Sequence, residues 1–283
     1  MRYYDPNFQK FIKNLVRSII YTWFDVHVSR RENVPKDGPV ILAFNHVYIW
    51  DPFIIGSNIK NIIYAVSHKE PFWPILRIFQ RNFGSIPANT KPKKKRFKKL
   101  TDDILLLFAK SDRDLFRQEI NHYLLPEDRL GEGKPLLLNL FLEYALNTGG
   151  TLLLHLPGKT LPNYERIKRP RKGIAWHALN MYNKYRKDVP IIAGGIVYTK
   201  DGKPYIPRLT LPKFKFWNRN YEPRTIQPLL PKHKTGVYVR FGEPITVEDF
   251  LIDHRDSKYV VSELTDIIND EISKQVGIIC DNL

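Results

Sequence analysis

Between residues 39 and 52 an unbroken apolar run, Pro39-Val40-Ile41-Leu42-Ala43-Phe44, passes into Asn45-His46-Val47-Tyr48-Ile49-Trp50-Asp51 and then Pro52. A short apolar run without polar alternation reads as a strand buried on both faces, as in sheets covered by helices. Asp51-Pro52 reads as an N-cap followed by proline at the first helical position, so a helix is expected to start there. Strand, loop and helix in that order form the first half of a strand–helix–strand unit.

The same alternation continues along the chain. Residues 61–67, 151–156, 189–198 and 237–241 read as further strands, and 52–57, 71–79, 136–146, 173–185 and 257–276 as helices. Gly84 to Asn89 breaks the 71–79 helix, and Asn147-Thr148-Gly149-Gly150 ends the 136–146 helix. Gly194-Gly195 inside a strand allows a bulge or a close backbone approach. Such alternation predicts an α/β fold, a mostly parallel central sheet flanked by helices, with ligands at the C-terminal ends of the strands. No internal repeat and no clear interdomain linker interrupts it.

His46 lies just beyond such a strand end. A neutral imidazole can take a proton near pH 7, and a carboxylate on its far nitrogen fixes the tautomer and stabilises the imidazolium. Asp51 is the nearby carboxylate. Residues five apart point away from each other on a straight helix, so the two can meet only if the chain turns between them. The plain alternative is that Asp51 caps a helix and His46 fills an ordinary hydrogen bond.

Bulk composition narrows the surroundings. The 283 residues are 43% hydrophobic, enough for a packed core, and carry a net charge of +16. A surface this basic attracts anions, whether nucleic acid, anionic lipid or phosphorylated small molecules. The single cysteine, Cys280, excludes an internal disulfide, fits a reducing compartment and offers no metal cluster.

No stretch is long and apolar enough to be read as a transmembrane span. Apolar residues at 11, 12, 15, 16, 19, 20, 23 and 24, interrupted by Lys13 and Arg17, describe an amphipathic helix with tyrosine and tryptophan. Such a helix suits a membrane interface, and it equally suits packing on a core. Charges within the apolar part and the lack of a small-residue cleavage site set it apart from a signal peptide.

Taken together, these motifs resemble the glycerolipid acyltransferases, the lysophospholipid acyltransferase family typified by lysophosphatidic acid acyltransferase. Asn45-His46 to Asp51 match its first block, N-H-x-x-x-x-D. Gly84-Ser85-Ile86-Pro87-Ala88-Asn89 resembles the second block, with Thr90 at its arginine position and Lys91 next. Leu156-Pro157-Gly158-Lys159-Thr160-Leu161 stands where the family has F-P-E-G-T-R, without the glutamate and the arginine. The runs RPRKGIAWHAL, VPIIAGGIVY and VYVRFGEPI resemble its later helix and strands, the last ending at Gly242-Glu243-Pro244. The resemblance implies an amphipathic membrane-interface helix over residues 1–30 and an acyltransferase domain over 31–283, with an insertion at about 93–135.

The resemblance also implies chemistry. A fatty acyl group would move from a thioester, acyl-CoA or acyl-carrier protein, to the hydroxyl of a lysophospholipid. His46 would act as general base oriented by Asp51, with no metal or other cofactor. A phosphorylated acceptor needs cations and backbone N–H groups. Gly158, Lys159 and Thr160 are the candidates, with Asn89, Thr90 and Lys91, and with Arg169, Arg171 or Lys172 beyond them. Lysine supplies a point charge where arginine supplies a fork, so the usual acceptor geometry is altered. The expected location is peripheral or monotopic, on the cytoplasmic face of an anionic membrane.

Three other readings compete. Gly158-Lys159-Thr160 evokes a phosphate-binding P-loop, but its first glycine would fall at Leu153 and Leu161-Pro162-Asn163 follows instead of a helix. The charge and the basic run at 91–99 evoke nucleic-acid binding, but no zinc-finger or RNA-recognition signature is present, and anionic lipid explains the same charge. A lipid-binding pseudoenzyme of the same fold would account for the altered third block, although the intact His46 and Asp51 argue against it.

Overall fold

A computed structural model of the chain describes residues 6–61, 63–67, 85–87, 139, 142–143, 145–156, 163–165, 167, 170–207, 209–211, 214–216, 219–221, 224–226, 235–254 and 259–283. The first apolar run forms strand β2 (Val40–Phe44), buried along its whole length. It pairs in parallel with β5 (Thr151–His155) on one side and β6 (Ile191–Lys200) on the other. Side chains alternate between the two faces of a strand. Accordingly Ile41 and Ala43 enter one core cluster, while Val40, Leu42 and Phe44 enter another.

The main sheet runs β1-β12-β6-β2-β5-β3-β4, with β7 pairing β6. β3 is Ile63–Ser67, β4 Ser85–Pro87 and β7 Lys203–Pro204. β1 (Phe24–Ser29) and β12 (Thr235–Ile245) are parallel to each other, and β12 is antiparallel to β6. The sheet is therefore mostly parallel, as the alternation predicts, with an opposed pair at one edge. Two small antiparallel ribbons join β8 (Leu209–Leu211) to β11 (Arg224–Ile226) and β9 (Phe214–Phe216) to β10 (Arg219–Tyr221).

Helices cover both faces. On one lie α3 (Gly173–Tyr185), α4 (Val247–His254) and α5 (Val260–Asp281), contributing Ile174, Ala178, Phe250, Leu264 and Ile268 to the core. On the other lie α1 (Pro6–Trp23) and α2 (Asp51–Ser57), contributing Ile12, Val16, Ile20, Phe53 and Ile54. The expected α1 stripe is divided between two environments. Ile12, Val16 and Ile20 are buried, whereas Phe11, Leu15 and Trp23 remain 60%, 39% and 41% exposed. Lys13 is buried as well, its ammonium donating to the carbonyls of Ile59 and Asn61.

Gly194 and Gly195 act by leaving room. A Cβ at Gly194 would collide with the Phe44 ring, and one at Gly195 would stand 2.8 Å from the Val276 backbone nitrogen of α5. The glycine pair thus lets an aromatic ring approach β6 on one face and a helix on the other.

Several boundaries differ from expectation. The segment 84–89 contains β4 and does more than break a helix, because Ser85–Pro87 pairs with β3. β12 continues past Gly242-Glu243-Pro244 to Ile245 through a register shift between Phe241 and Pro244. β1 lies within the stretch assigned to the N-terminal segment. Its polar alternation (Asp25, His27) suits an edge strand that shows one face to water. The helix expected at 71–79 and the insertion at 93–135 lie outside the described residues.

Candidate active site

The register of three parallel strands builds the site. Phe44 is level with His155 of β5 and with Gly194 of β6. The chain leaving β2 and the last residue of β5 consequently arrive at the same edge, where parallel sheets bind ligands.

Asn45 fastens this exit. Its buried side-chain amide donates to the Ile196 carbonyl at 2.9 Å and accepts from the Ile196 N–H at 2.8 Å. The amide thereby replaces a peptide group and extends the pairing to β6 by one residue, while the main chain turns away.

The turn brings His46 and Asp51 together, with His46 Nδ1 2.8 Å from Asp51 Oδ2. The same oxygen accepts the N–H of Val47 at 2.7 Å and of Tyr48 at 2.9 Å. Asp51 Oδ1 accepts the Tyr198 hydroxyl at 2.5 Å. Asp51 is therefore fully buried yet meets four donors, which offsets the cost of removing a carboxylate from water. The helix cap expected of Asp51 is not found. It is the first helical residue, after Trp50, and its carboxylate folds back onto loop amides rather than those of α2. Pro52 does sit in the first turn, as its fixed φ favours.

An ionised carboxylate only accepts hydrogen bonds, so its partnership assigns the proton on His46 to Nδ1. Nε2 is then the nitrogen able to take a proton. The His46 side chain is 19% exposed while that of Asp51 is 0% exposed, so the base opens to the surface and its anchor does not.

The anchor sits in an aromatic surround. Tyr48 and Tyr198 meet edge to face at 5.4 Å, and Phe24 packs on Tyr48, Trp50 and Tyr198 at 6.1–6.4 Å. Burial, then the Asp51 charge, push the Tyr198 hydroxyl well above its ordinary pKa, so it remains a donor. Tyr164 holds Tyr198 from behind, its oxygen accepting the Tyr198 N–H at 2.7 Å and its hydroxyl donating to the Tyr205 carbonyl at 2.8 Å.

His155 is the residue that motif reading overlooks. Its ring stacks on that of His46, with centroids 4.3 Å apart and planes inclined by 22°. Its Nδ1 lies 2.9 Å from the Asn45 carbonyl, an acceptor, so this nitrogen carries the proton. Its Nε2 is buried without a hydrogen-bond partner among the described residues. Burial, then the neighbouring His46, lower its pKa to about 3. The available signal was positional: His155 immediately precedes Leu156-Pro157, at the strand end already singled out.

The structure unites His46 with Asp51. Asn89, Thr90, Lys91, Gly158, Lys159, Thr160 and Arg169 lie outside the described residues. Arg171 and Lys172 are exposed at the start of α3, where the Arg171 N–H donates to the Leu156 carbonyl at 3.1 Å and ties that start to the end of β5. Among the described residues no group of histidine, cysteine and carboxylate side chains could hold a metal ion.

Comparison with known proteins agrees with this architecture. The family model described as Acyltransferase matches residues 25–197, more than half of the chain. The chain belongs to the acyltransferase family, and the protein is an acyltransferase. Its fold is similar to that of the 1-acyl-sn-glycerophosphate (LPA) acyltransferase PlsC from Thermotoga maritima. The TM-score is 0.51 at 15% identity, over 96% of this chain and 79% of that one. No curated protein matches the chain.

Proposed function

We propose that this acyltransferase moves a fatty acyl group from acyl-CoA or acyl-carrier protein to the hydroxyl of a lysophospholipid such as lysophosphatidic acid. The observation that carries the reading is the 2.8 Å His46–Asp51 contact at the sheet edge of a family member. His46 Nε2 takes the hydroxyl proton as the acceptor oxygen bonds to the thioester carbonyl carbon. The tetrahedral intermediate collapses, the carbon–sulfur bond breaks, and the imidazolium returns the proton to the thiolate. Ester and free thiol result, and the two substrates alone balance the step, without a cofactor. General base catalysis of this kind typically contributes about 10²–10⁴-fold.

Gly158, Lys159 and Thr160, with Asn89, Thr90 and Lys91, are assigned to the phosphate of the acceptor on their residue chemistry. Lysines and backbone N–H groups suit an anion. The exposed Phe11, Leu15 and Trp23 of α1, with a net charge of +16, support peripheral docking on an anionic membrane through α1, and the cytoplasmic face is the one assigned. No helix of the described residues is long and apolar enough to cross a membrane.

The test is transfer of radiolabel from oleoyl-CoA to a panel of lysophospholipids, with His46→Ala as control. Product lost in the variant supports the assigned base, and the panel identifies the acceptor. Folded, vesicle-binding protein that yields no product with oleoyl-CoA or oleoyl-carrier protein would overturn the reading in favour of a lipid-binding pseudoenzyme.

A further inference from the structure

We infer that His155 is a positioning residue, fixing the plane of the His46 ring and the main chain that carries it; the inference rests on His46 being the base. Asp51 holds His46 by one edge through a single Nδ1 contact. A single edge contact leaves the ring free to rock about the Nδ1–Oδ2 direction, which would swing Nε2 away from its target. The His155 face, 4.3 Å away between centroids and inclined by 22°, opposes that motion. A second link acts on the backbone: His155 donates from Nδ1 to the carbonyl of Asn45, the residue immediately before His46. One side chain thus supports both the ring and the peptide that carries it. Asn45 is itself bonded at both ends of its amide to Ile196, so the support is anchored to two strands, β5 and β6.

The stack works only if His155 stays neutral. His46 becomes positive during each transfer, and a second imidazolium at stacking distance would oppose that charge. Several features keep His155 uncharged. Its Nε2, the nitrogen facing away from Asn45, is buried with no partner to share a proton with among the described residues, and His46 is the cation-forming group beside it. Asp51 is the facing anion, and its charge is already engaged by His46, Tyr198 and two amides.

Two measurements decide the matter. In ¹⁵N-histidine NMR of the unmodified protein, His155 is expected as the neutral Nδ1–H tautomer from pH 8 down to about pH 5. A His155 signal in the Nε2–H form, or protonated at pH 6, would overturn the inference. This readout needs no turnover, so it stays decisive if the protein transfers no acyl group, an outcome that sinks only the proposed reaction. With activity in hand, His155→Ala is expected to lower kcat about 10- to 100-fold with KM changed less than about twofold, since misplaced catalytic groups cost that much. His155→Phe keeps a flat ring on His46 and is expected to recover a substantial part of the loss. An alanine variant within twofold of the wild-type kcat would overturn the inference. A phenylalanine variant that is folded yet no better than alanine would also overturn it, since ring support would then contribute nothing.

Discussion

The Tyr198 hydroxyl, 2.5 Å from Asp51 Oδ1, occupies the carboxylate oxygen that His46 does not use. The two oxygens therefore have separate duties. Oδ2 gathers His46 and the Val47 and Tyr48 amides, and Oδ1 is tied to β6. Tyr198→Phe deletes only the hydroxyl and leaves a buried carboxylate oxygen short of a donor. An unsatisfied buried polar group of this kind costs about 1–3 kcal/mol, more when charged. Urea denaturation is expected to register that loss, and kcat is expected to fall while KM for the acyl donor changes little.

Asp51→Asn tests the charge rather than the packing. With its oxygen at the Oδ2 position the amide still accepts from His46 and from the Val47 and Tyr48 N–H groups, while its NH₂ group faces the Tyr198 hydroxyl, which can accept by turning its own proton away. The negative charge that stabilises the His46 imidazolium is lost. Activity is expected to fall by at least about 100-fold with the fold retained by circular dichroism, as when the orienting carboxylate of a catalytic histidine is neutralised. Transfer within a few-fold of wild type would remove Asp51 from the assigned role.

Gly194→Ala probes the wall behind the site. The added methyl group would run into the Phe44 ring, which also packs edge to face on Phe241 at 5.4 Å. Overpacking of a tight core costs about 1–3 kcal/mol. Because Phe44 directly precedes Asn45 and His46, the displacement is expected to reach the base, lowering kcat as well as the melting temperature. A stability loss without any loss of kcat would show that the loop is insulated from β2.

The local parts of this site were legible in the sequence. A strand that ends in a polar loop and Asp-Pro is encoded within fourteen consecutive residues, and so is the requirement that the chain turn for His46 to reach Asp51. The glycine pair at 194–195 announced a close approach for the same reason. The remote parts were not legible. Tyr198 lies 147 residues from Asp51, and His155 lies 110 residues from Asn45. Each reaches the site only through the register of β6 and β5 on β2, and no short-range pattern encodes register between parallel strands. The helix cap ascribed to Asp51 failed because local rules could not weigh the Val47 and Tyr48 amides against those of α2. β1 was overlooked because its partner β12 lies about two hundred residues away, and its polar alternation is faint beside the α1 stripe.

Acid is expected to weaken the fold through two histidines, the buried His177 and the half-buried His155. Burial lowers the His177 pKa to about 4, and burial and His46 lower that of His155 to about 3. Both folded values lie below the unfolded value of about 6.5, so between those limits the unfolded chain binds more protons than the folded one. The contribution of these two histidines is then constant above about pH 7 and falls as pH drops from 6.5 toward 4, by up to about 1.4 kcal/mol per pH unit for each. Urea denaturation at several pH values in wild type and His177→Leu checks this. The variant is expected to lose about half of the acid slope, and an unchanged slope would mean that His177 does not titrate on unfolding.

The exposed side of α1 gives the last prediction. Phe11, Leu15 and Trp23 show 60%, 39% and 41% of their surface while Ile12, Val16 and Ile20 are buried. Replacing the exposed three by serine removes exposed apolar area while Ile12, Val16 and Ile20 keep their core contacts, so the melting temperature is expected to stay within a few degrees. Each side chain, half buried in lipid, is worth about 1 kcal/mol, so vesicle affinity is expected to fall by about 100-fold. Because the chain carries a net charge of +16, wild-type binding is also expected to weaken when phosphatidylserine is omitted from the vesicles or when salt is raised to 1 M. Co-sedimentation with vesicles reads both effects. A serine variant that binds like wild type would place the membrane contact elsewhere on the protein, and binding indifferent to lipid charge would assign it to apolar contact alone.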